Sequence, residues 1–284
     1  MKLLNYPVVR DLASIIATIY GRTQLRSFSV GYEDGLWVHK YDGPRYLVRE
    51  RPSIPKKRHK GAGGDRNFSH DDPSQLKDVI EDVTGYAPKL GDVFVDIGAG
   101  KGTLTVALGK LVGAEGRGLS VEAHPKQYRC LSRTCALNRL DQVITEQVAV
   151  GATDGEVLIS EEGNADESHV GQVDDGYNVK QTTVDKLVEA HGIGQVDFLS
   201  MNIEGAETEA LLGMKSTLAR CRIVAIACHD FRADREGLEE MRTKDKVISI
   251  LNEAGFRISP LEQRRTKTTA LDDWVSAENS AFAA

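Results

Sequence analysis

The stretch Val93 to Gly102, VFVDIGAGKG, constrains the fold of this 284-residue chain more than any other. An apolar run that ends in a carboxylate leads directly into glycines spaced G-x-G-x-G. Behind the glycines, apolar side chains repeat at helical spacing, as at Leu104, Leu108 and Leu111. Glycines allow a sharp turn and let a ligand lie against main-chain amides. The stretch therefore predicts a strand, a ligand-binding loop and a helix.

The glycine spacing bears on the ligand. A dinucleotide-binding fingerprint separates its last two glycines by two residues, so that a pyrophosphate meets the helix N-terminus. Here one residue separates neighbouring glycines, and Asp96 stands at the strand end. S-adenosylmethionine carries a sulfonium and an amino-acid tail in place of phosphate, so it suits an acidic side chain and free amides. We expect it to contact Asp96, Gly98, Ala99, Gly100 and Gly102. A tight turn without a ligand is the alternative.

A second acidic residue supports the ligand-binding interpretation. The run Arg117 to Glu122, RGLSVE, is typical of a buried strand, and Glu122 lies twenty residues after Gly102. A doubly wound sheet places the acid that binds ribose hydroxyls at about this distance. Pro125 then favours the first position of a helix. We expect Glu122 and Ala123 to contact the cofactor, although a solvated glutamate is the simpler alternative.

Polar residues follow two later buried strands. The segments VDFLSMNIEGAE, from Val196 to Glu207, and IVAIACHDF, from Ile223 to Phe231, both become polar at their carboxyl ends. Ligands of open α/β sheets bind beyond these ends. We therefore expect one group of side chains to gather on the rim that carries Asp96 and Glu122, namely Asn202, Glu204, Glu207, His229 and Asp230.

Composition limits the function classes. The formal net charge of −6 argues against general affinity for nucleic acid. The four cysteines lack C-x-x-C spacing, which favours buried thiols in a reducing compartment. Polar residues interrupt the first 21 residues, so we expect neither a signal peptide nor a membrane span, and the cytoplasm is the expected location.

The first 70 residues carry two features of their own. A helical stripe, which could pack on the core, cap the cofactor cleft or meet a second subunit, consists of Val8, Leu12, Ile15, Ile16 and Ile19. We expect core packing. A hairpin is predicted from Leu36 to His39 and from Tyr46 to Val48, around Asp42 and Gly43.

A basic segment follows the hairpin. Arg49 to Arg66 holds seven Lys or Arg residues against Glu50 and Asp65, with prolines and glycines that resist regular structure. A solvated loop is the simpler interpretation. The sharper one is a mobile flap that closes over the acceptor.

The rest of the chain continues the α/β alternation. We expect a third strand from Val143 to Val150, a short one from Glu156 to Ser160, and a polar loop from Glu161 to Tyr177. The tail predicts one helix and two strands, at Lys246 to Glu253, Phe256 to Ile258 and Ala270 to Val275.

From about Gly91 to Phe256 the chain resembles the FkbM-type methyltransferases, which transfer a methyl group from S-adenosylmethionine, typically to a hydroxyl oxygen of a natural product or glycan. The matching motifs are GDVFVDIGAGKGT, VEAHP, AVGATDGEV, TTVDKL, VDFLSMNIEGAE and IACHDF. The resemblance implies an α/β, Rossmann-like class I methyltransferase fold, a mostly parallel seven-stranded sheet with an antiparallel last pair and helices on both faces. We place this domain at residues 71–284, and a small helical and hairpin extension with the basic loop, capping the acceptor side, at residues 1–70.

The chain departs from the family at one strand end. The family often has lysine and aspartate where this chain has Ser200 and Asn202. The resemblance therefore does not imply a charged strand end or a bound divalent metal in this chain. We name no metal ligand.

Methyl transfer to oxygen needs an oriented acceptor and is helped by a base. His229 has the side chain best suited to proton transfer near neutral pH, and Asp230 could orient it or act itself. Both could instead cap a strand end. Asn202 could hydrogen-bond the acceptor, and Glu204 could contact the acceptor or a metal or stabilise a helix N-terminus.

Three other functions stay open. A nucleic-acid base methyltransferase is disfavoured, because the chain has neither a Pro-Pro nor a Pro-Cys pair. A non-catalytic S-adenosylmethionine-binding module or partner subunit is the main alternative, and the glycine spacing disfavours a nicotinamide-dependent oxidoreductase. We expect a hydroxylated small-molecule acceptor, no nucleic-acid or membrane partner, and possible homo-oligomers.

Overall fold

A computed structural model describes residues 7–22, 28–41, 45–52, 59–60, 67–68, 76–160, 176–259 and 274–282. The N-terminal part contains one helix and two small antiparallel sheets. Helix α1 spans Pro7–Arg22. The strands β1, β2 and β3 form a sheet in that order and span Ser29–Glu33, Leu36–Tyr41 and Arg45–Arg49. The short strands β4, His59–Lys60, and β5, Asn67–Phe68, pair with each other.

The remaining elements alternate between strands and helices. The helices are α2 Leu76–Thr84, α3 Thr103–Val112, α4 Pro125–Asn138, α5 Val184–Ala190, α6 Glu207–Leu212, α7 Lys215–Ala219, α8 Asp230–Glu236 and α9 Lys244–Glu253. The strands are β6 Val93–Ile97, β7 Arg117–Val121, β8 Val143–Glu146, β9 Ala149–Val150, β10 Gly155–Ser160, β11 Gly176–Thr182, β12 Val196–Met201, β13 Cys221–Ala227, β14 Phe256–Ile258 and β15 Trp274–Asn279. Two short 3-10 helices span Glu239–Met241 and Ser280–Phe282.

The main sheet has seven strands in the order β14-β15-β13-β12-β6-β7-β8. The strands from β13 to β8 are parallel, whereas β15 runs antiparallel to both of its neighbours. Neighbouring residues of one strand, such as Phe94 and Val95, belong to different hydrophobic clusters, so both faces are buried. Helices α2 and α3 contribute to one cluster, and α5, α6, α7 and α9 to the other. This confirms the predicted fold class.

Several predicted elements differ in extent. The predicted strand Val143 to Val150 is two strands in different sheets: β8 ends the main sheet, whereas β9 pairs with β11 in a separate sheet of order β10-β11-β9. Strand β11 begins at Gly176, just inside the predicted loop. The last strand begins at Trp274 and extends to Asn279, because it pairs along β13, and Ala270 lies outside the described residues.

The N-terminal sheet attaches to α4. The N–H of Val48 donates to Thr134 Oγ1 at 3.0 Å, and the N–H of Tyr46 donates to Asn138 Oδ1 at 3.1 Å. Asn138 Nδ2 donates back to the Tyr46 carbonyl at 2.7 Å. One hydrophobic cluster also contains Phe28 from this part of the chain and Leu131 of α4. Residues on either side of the predicted boundary near residue 70 therefore share one core.

The predicted hairpin is present, with Trp37 opposite Arg49 in the register of β2 and β3, while its Asp42-Gly43 turn lies outside the described residues. Of the basic segment, the structure describes residues 49–52 and 59–60. The predicted flap thus falls mostly on residues that are not described. All four cysteines are free and buried, as predicted. In the described parts of the chain, no helix has the length and hydrophobicity needed to cross a membrane.

The contact between α4 and the N-terminal sheet gives a first prediction. Asn138→Ala leaves the N–H and carbonyl of Tyr46 without their partner, so we expect a loss of about 2 kcal/mol or more in the free energy of unfolding. Urea denaturation measures it. The control is Asn178→Ala, which removes one exposed side-chain hydrogen bond and should cost less than about 0.5 kcal/mol. Equal losses in the two variants would contradict the prediction.

Candidate functional site

The loop between β6 and α3 depends on its glycines. Gly98, Gly100 and Gly102 all have positive φ, at 74°, 56° and 90°. A Cβ atom on Gly98 would lie 1.9 Å from the carbonyl oxygen of Asn202. The loop also bonds to the next strand, because the N–H groups of Gly98 and Ala99 both donate to the Val121 carbonyl. Only glycine at position 98 lets the ends of β6 and β12 approach so closely.

Asp96 lies inside the protein rather than on an open rim. The residue is 3 % exposed, and its carboxylate accepts a hydrogen bond from Thr105 Oγ1 at 2.6 Å. Thr105 Oγ1 in turn lies 3.0 Å from Ser120 Oγ on β7. Burial raises the pKa of Asp96 to about 6, although the Thr105 hydroxyl acts in the opposite direction. Thr105 was not predicted as a site residue, since a threonine inside a helical pattern carries no signal of its own.

Glu122 joins two loops. One carboxylate oxygen accepts the N–H of Gly100 at 2.8 Å, and the other accepts the N–H of His124 at 2.7 Å. Burial raises the pKa of Glu122 to about 7, against the effect of these two hydrogen bonds. A carboxylate offers about four acceptor sites, so sites remain for ligand hydroxyls. Glu122 therefore shapes the loop and faces it at the same time.

Ala123 and His124 lie beside the small sheet of β9, β10 and β11. Ala123 packs against the cluster formed by Ala149, Ile159 and Val179. His124 caps α4, since its Nδ1 accepts the N–H of Lys126, and its ring meets Tyr177 edge to face at 5.2 Å. The small sheet thus borders the loop that carries Glu122. Tyr177 was missed as a site residue, because it stands at the end of a segment whose polar composition predicts a loop.

The ends of β12 and β13 carry the other predicted side chains. Asn202 is exposed, and its N–H donates to the Ile97 carbonyl at 2.9 Å, directly beside the glycine loop. Glu204 follows in a turn with a φ of 51°, a left-handed conformation that is unusual for glutamate. His229 Nε2 lies 3.1 Å from Glu204 Oε1. Asn202 thus lies at the loop, and Glu204 lies against the end of β13.

His229, Glu204, Glu207 and Arg232 form an ionic cluster, which we call the carboxylate–histidine cluster. His229 Nδ1 lies 3.5 Å from Glu207 Oε1, and Arg232 Nη1 donates to Glu204 Oε2 at 3.0 Å. Glu207 is fully buried and also accepts the N–H of Gly205 and the hydroxyl of Thr243. The sequence predicted three members, but not Arg232, because nothing in the pattern links it to a residue 28 positions earlier.

The carboxylates determine the charge of His229. Burial alone would lower its pKa, but the neighbouring Glu204 and Glu207 raise the pKa to about 9. Burial likewise acts to raise the pKa of Glu204, yet His229 and Arg232 hold that pKa below its usual value. At neutral pH His229 is therefore an imidazolium between Glu204 and Glu207, and Arg232 binds Glu204 from the other side. A ring that already carries its proton cannot act as a general base.

Asp230 binds the backbone at the start of α9. Its Oδ1 accepts the N–H groups of Thr243 and Lys244, at 3.0 and 3.1 Å, and thereby satisfies two donors at the N-terminus of α9. The alternative to a catalytic role was a cap of a strand end, and the backbone groups that Asp230 binds instead belong to the start of a helix. Over the described ranges, no three His, Cys, Asp or Glu side chains are arranged to hold a metal ion.

Sequence comparison decides the family. The chain matches the family described as Methyltransferase FkbM domain over residues 96–258, which is more than half of its length and contains the glycine loop, Glu122 and the carboxylate–histidine cluster. The chain belongs to the FkbM methyltransferase family. It is an S-adenosylmethionine-dependent methyltransferase. No curated protein sequence matches it.

Several solved structures are similar to this chain. Fibrillarin from Aeropyrum pernix, in complex with natively bound S-adenosyl-L-methionine, is 15% identical, with a TM-score of 0.44 over 88% of this chain and 99% of that one. A SAM-dependent methyltransferase from Aquifex aeolicus is 18% identical, with a TM-score of 0.39 over 72% of this chain and 96% of that one. The family assignment rests on the sequence match.

The residues around the glycine loop are compatible with a bound S-adenosylmethionine. No atom lies within 4 Å of the position that a Cβ on Gly100 would occupy, so the space beside the loop is open. The carboxylate of Glu122 accepts the N–H of the same glycine. The carboxylate of Glu122, which keeps free acceptor sites beside the glycine loop, suits a ligand with hydroxyl groups.

The raised pKa of Glu122 predicts pH-dependent cofactor binding. Its carboxylate form, the better acceptor for ribose hydroxyls, is lost as the pH falls through about 7. We expect calorimetry to show weaker binding of S-adenosylhomocysteine at about pH 6 than at about pH 8. Glu122→Gln should lower the affinity at least about tenfold and flatten this dependence, because a charge-assisted hydrogen bond contributes about 1.5 to 3 kcal/mol. Glu115→Gln, on an exposed turn, is the control. A wild-type pH dependence retained in Glu122→Gln would exclude Glu122 as its source.

The raised pKa of His229 predicts that its contribution to stability falls as the pH rises. Because the folded-state pKa of His229 lies above its unfolded value, its contribution is complete below about pH 6.5 and is lost as the pH rises through about 9. We expect wild type to exceed His229→Gln in unfolding free energy by up to roughly 3 kcal/mol at about pH 6, and by much less at about pH 10. Urea denaturation at both pH values measures it. A difference that is the same at both would rule out the charged ring.

Proposed function

We propose that this methyltransferase transfers the methyl group to a hydroxyl oxygen of a small molecule, such as a natural product or a sugar. The observation that carries the proposal is the position of Asn202 and Glu204 at the end of β12. Asn202 is exposed and lies against the glycine loop, and Glu204 is two residues further along the chain. An amide and a carboxylate are suitable partners for a hydroxyl group.

In this proposal Asn202 orients the acceptor, and Glu204 receives the proton of the acceptor hydroxyl. S-adenosylmethionine supplies a methyl group already activated by the sulfonium. As the acceptor oxygen bonds to carbon its proton becomes strongly acidic, so a carboxylate with a lowered pKa is a sufficient base. His229 and Arg232 act as positioning residues, because each holds one oxygen of Glu204. Asp230 keeps its role at the N-terminus of α9.

Charge supports a small acceptor over nucleic acid. The net charge is −6, and two carboxylates belong to the cluster beside the proposed acceptor position. A phosphate backbone is bound through clustered lysine and arginine, which compensate its charge. The arginine of the cluster is already bonded to Glu204.

The test is methyl transfer to a panel of hydroxylated sugars and natural products, with S-adenosylhomocysteine release and product mass as readouts. We expect a product with one added methyl group on oxygen. Methylation of nitrogen, carbon or nucleic acid would overturn the acceptor class. Cofactor binding without transfer to any acceptor would favour a non-catalytic module.

Glu204→Gln tests the assignment of roles. It keeps the size of the side chain but removes the proton acceptor, so we expect turnover to fall about 10²-fold. S-adenosylhomocysteine affinity should change little, because Glu204 lies outside the glycine loop. The control is Glu209→Gln, an exposed glutamate on α6, which should keep wild-type turnover. Equal turnover in both variants would remove Glu204 from the reaction.

A further inference from the structure

The predicted core-facing stripe of α1 is instead exposed. The exposed fractions are 77% for Val8, 55% for Leu12 and Ile15, 53% for Ile16 and 64% for Ile19. The prediction of core packing was wrong, because α1 uses its small side chains for the core. Ala17 is buried, and Thr18 Oγ1 accepts the N–H of Val30 on β1. A helix that packs through alanine and threonine can lie close to the sheet, and its large aliphatic face then points away.

From this face we infer that the methyltransferase forms a dimer in which the α1 helices of two copies pack together, antiparallel, through Val8, Leu12, Ile15 and Ile19. The spacing supports a helix as the partner. The four residues are separated by four, three and four positions, the repeat by which two helices pack along a common seam. No element within the described ranges covers them.

The exposed area is sufficient for a dimer. Five aliphatic side chains, each more than half exposed, present about 500 Å² of apolar surface, as large as the largest patches on typical monomers. Two copies would bury about 1,000 Å² along the seam, which is the level that a specific interface requires. A two-fold axis lets the same patch serve both partners, the commonest arrangement in homo-oligomers.

Charge supports an antiparallel second copy over a lipid surface. Interfacial helices bind anionic lipid through lysine and arginine on their polar face. In α1 the face that holds Thr18 is packed on β1, so it does not face a lipid surface. The net charge of −6 also disfavours binding to anionic lipid. An antiparallel arrangement also places the two Arg22 side chains at opposite ends and sets Leu12 of one copy against Ile15 of the other.

The first experiment measures the molar mass of the full-length chain by light scattering. We expect twice 31.1 kDa for wild type, and a monomer with unchanged far-ultraviolet circular dichroism for both Ile15→Lys and Leu12→Glu, because the sites are exposed on the single chain. Leu90→Glu, exposed by 77% outside α1, is the control and should stay a dimer. A monomeric wild type would overturn the inference, as would a dimer that survives both substitutions.

Mixing the two variants tests the arrangement. In an antiparallel pair, the ammonium group introduced by Ile15→Lys meets the carboxylate introduced by Leu12→Glu, while the remaining Leu12 and Ile15 pack normally. The mixture should therefore recover the dimer, and failure to recover it would overturn the antiparallel seam.

Vesicle binding tests a lipid surface as the partner of the stripe. If wild type is a monomer that binds vesicles of phosphatidylserine and phosphatidylcholine, and Ile15→Lys loses this binding, a lipid surface replaces the dimer. A loss of helical circular dichroism in a monomeric Ile15→Lys would show that the chain itself covers the stripe, which would also overturn the dimer.

Discussion

The close approach of Gly98 to the Asn202 carbonyl is the constraint on which the site depends. With a Cβ only 1.9 Å from that oxygen, any other residue would push the ends of β6 and β12 apart. The bonds from Gly98 and Ala99 to the Val121 carbonyl then fix the loop against β7 as well. Three strand ends are thereby held together by backbone contacts, so the glycine loop is fixed with few side chains.

Two kinds of buried acid meet at this edge of the sheet. Asp96 and Glu122 are held by hydroxyl and amide donors, and burial raises their pKa values. Glu204 and Glu207 face His229, so their charge is compensated locally. Of the first pair, Glu122 contacts the glycine loop, whereas Asp96 is held inside the protein by Thr105. The second pair joins the turn after β12 to the end of β13.

Pattern alone was sufficient for the central elements. The glycine loop, the strand that ends before Glu122 and the polar ends of β12 and β13 are local features, in which each residue's environment follows from its neighbours in the chain. The division of Val143 to Val150 between two sheets was not predictable, because β9 is defined by its pairing with β11, more than 25 residues away. The exposed stripe of α1 has the pattern of a core-facing helix, since periodicity shows that a face is apolar but not what covers it.

The sequence by itself determined the fold class, the glycine loop and the set of polar residues at the strand ends, because strand, glycine turn and helix are encoded over a few consecutive positions. The tertiary structure alone decided what those polar residues do. His229 lies between two carboxylates, Asp230 binds the N-terminus of α9, and Arg232 reaches Glu204. The charge of a buried side chain depends on the groups that surround it in space, and those groups come from separate elements of the chain.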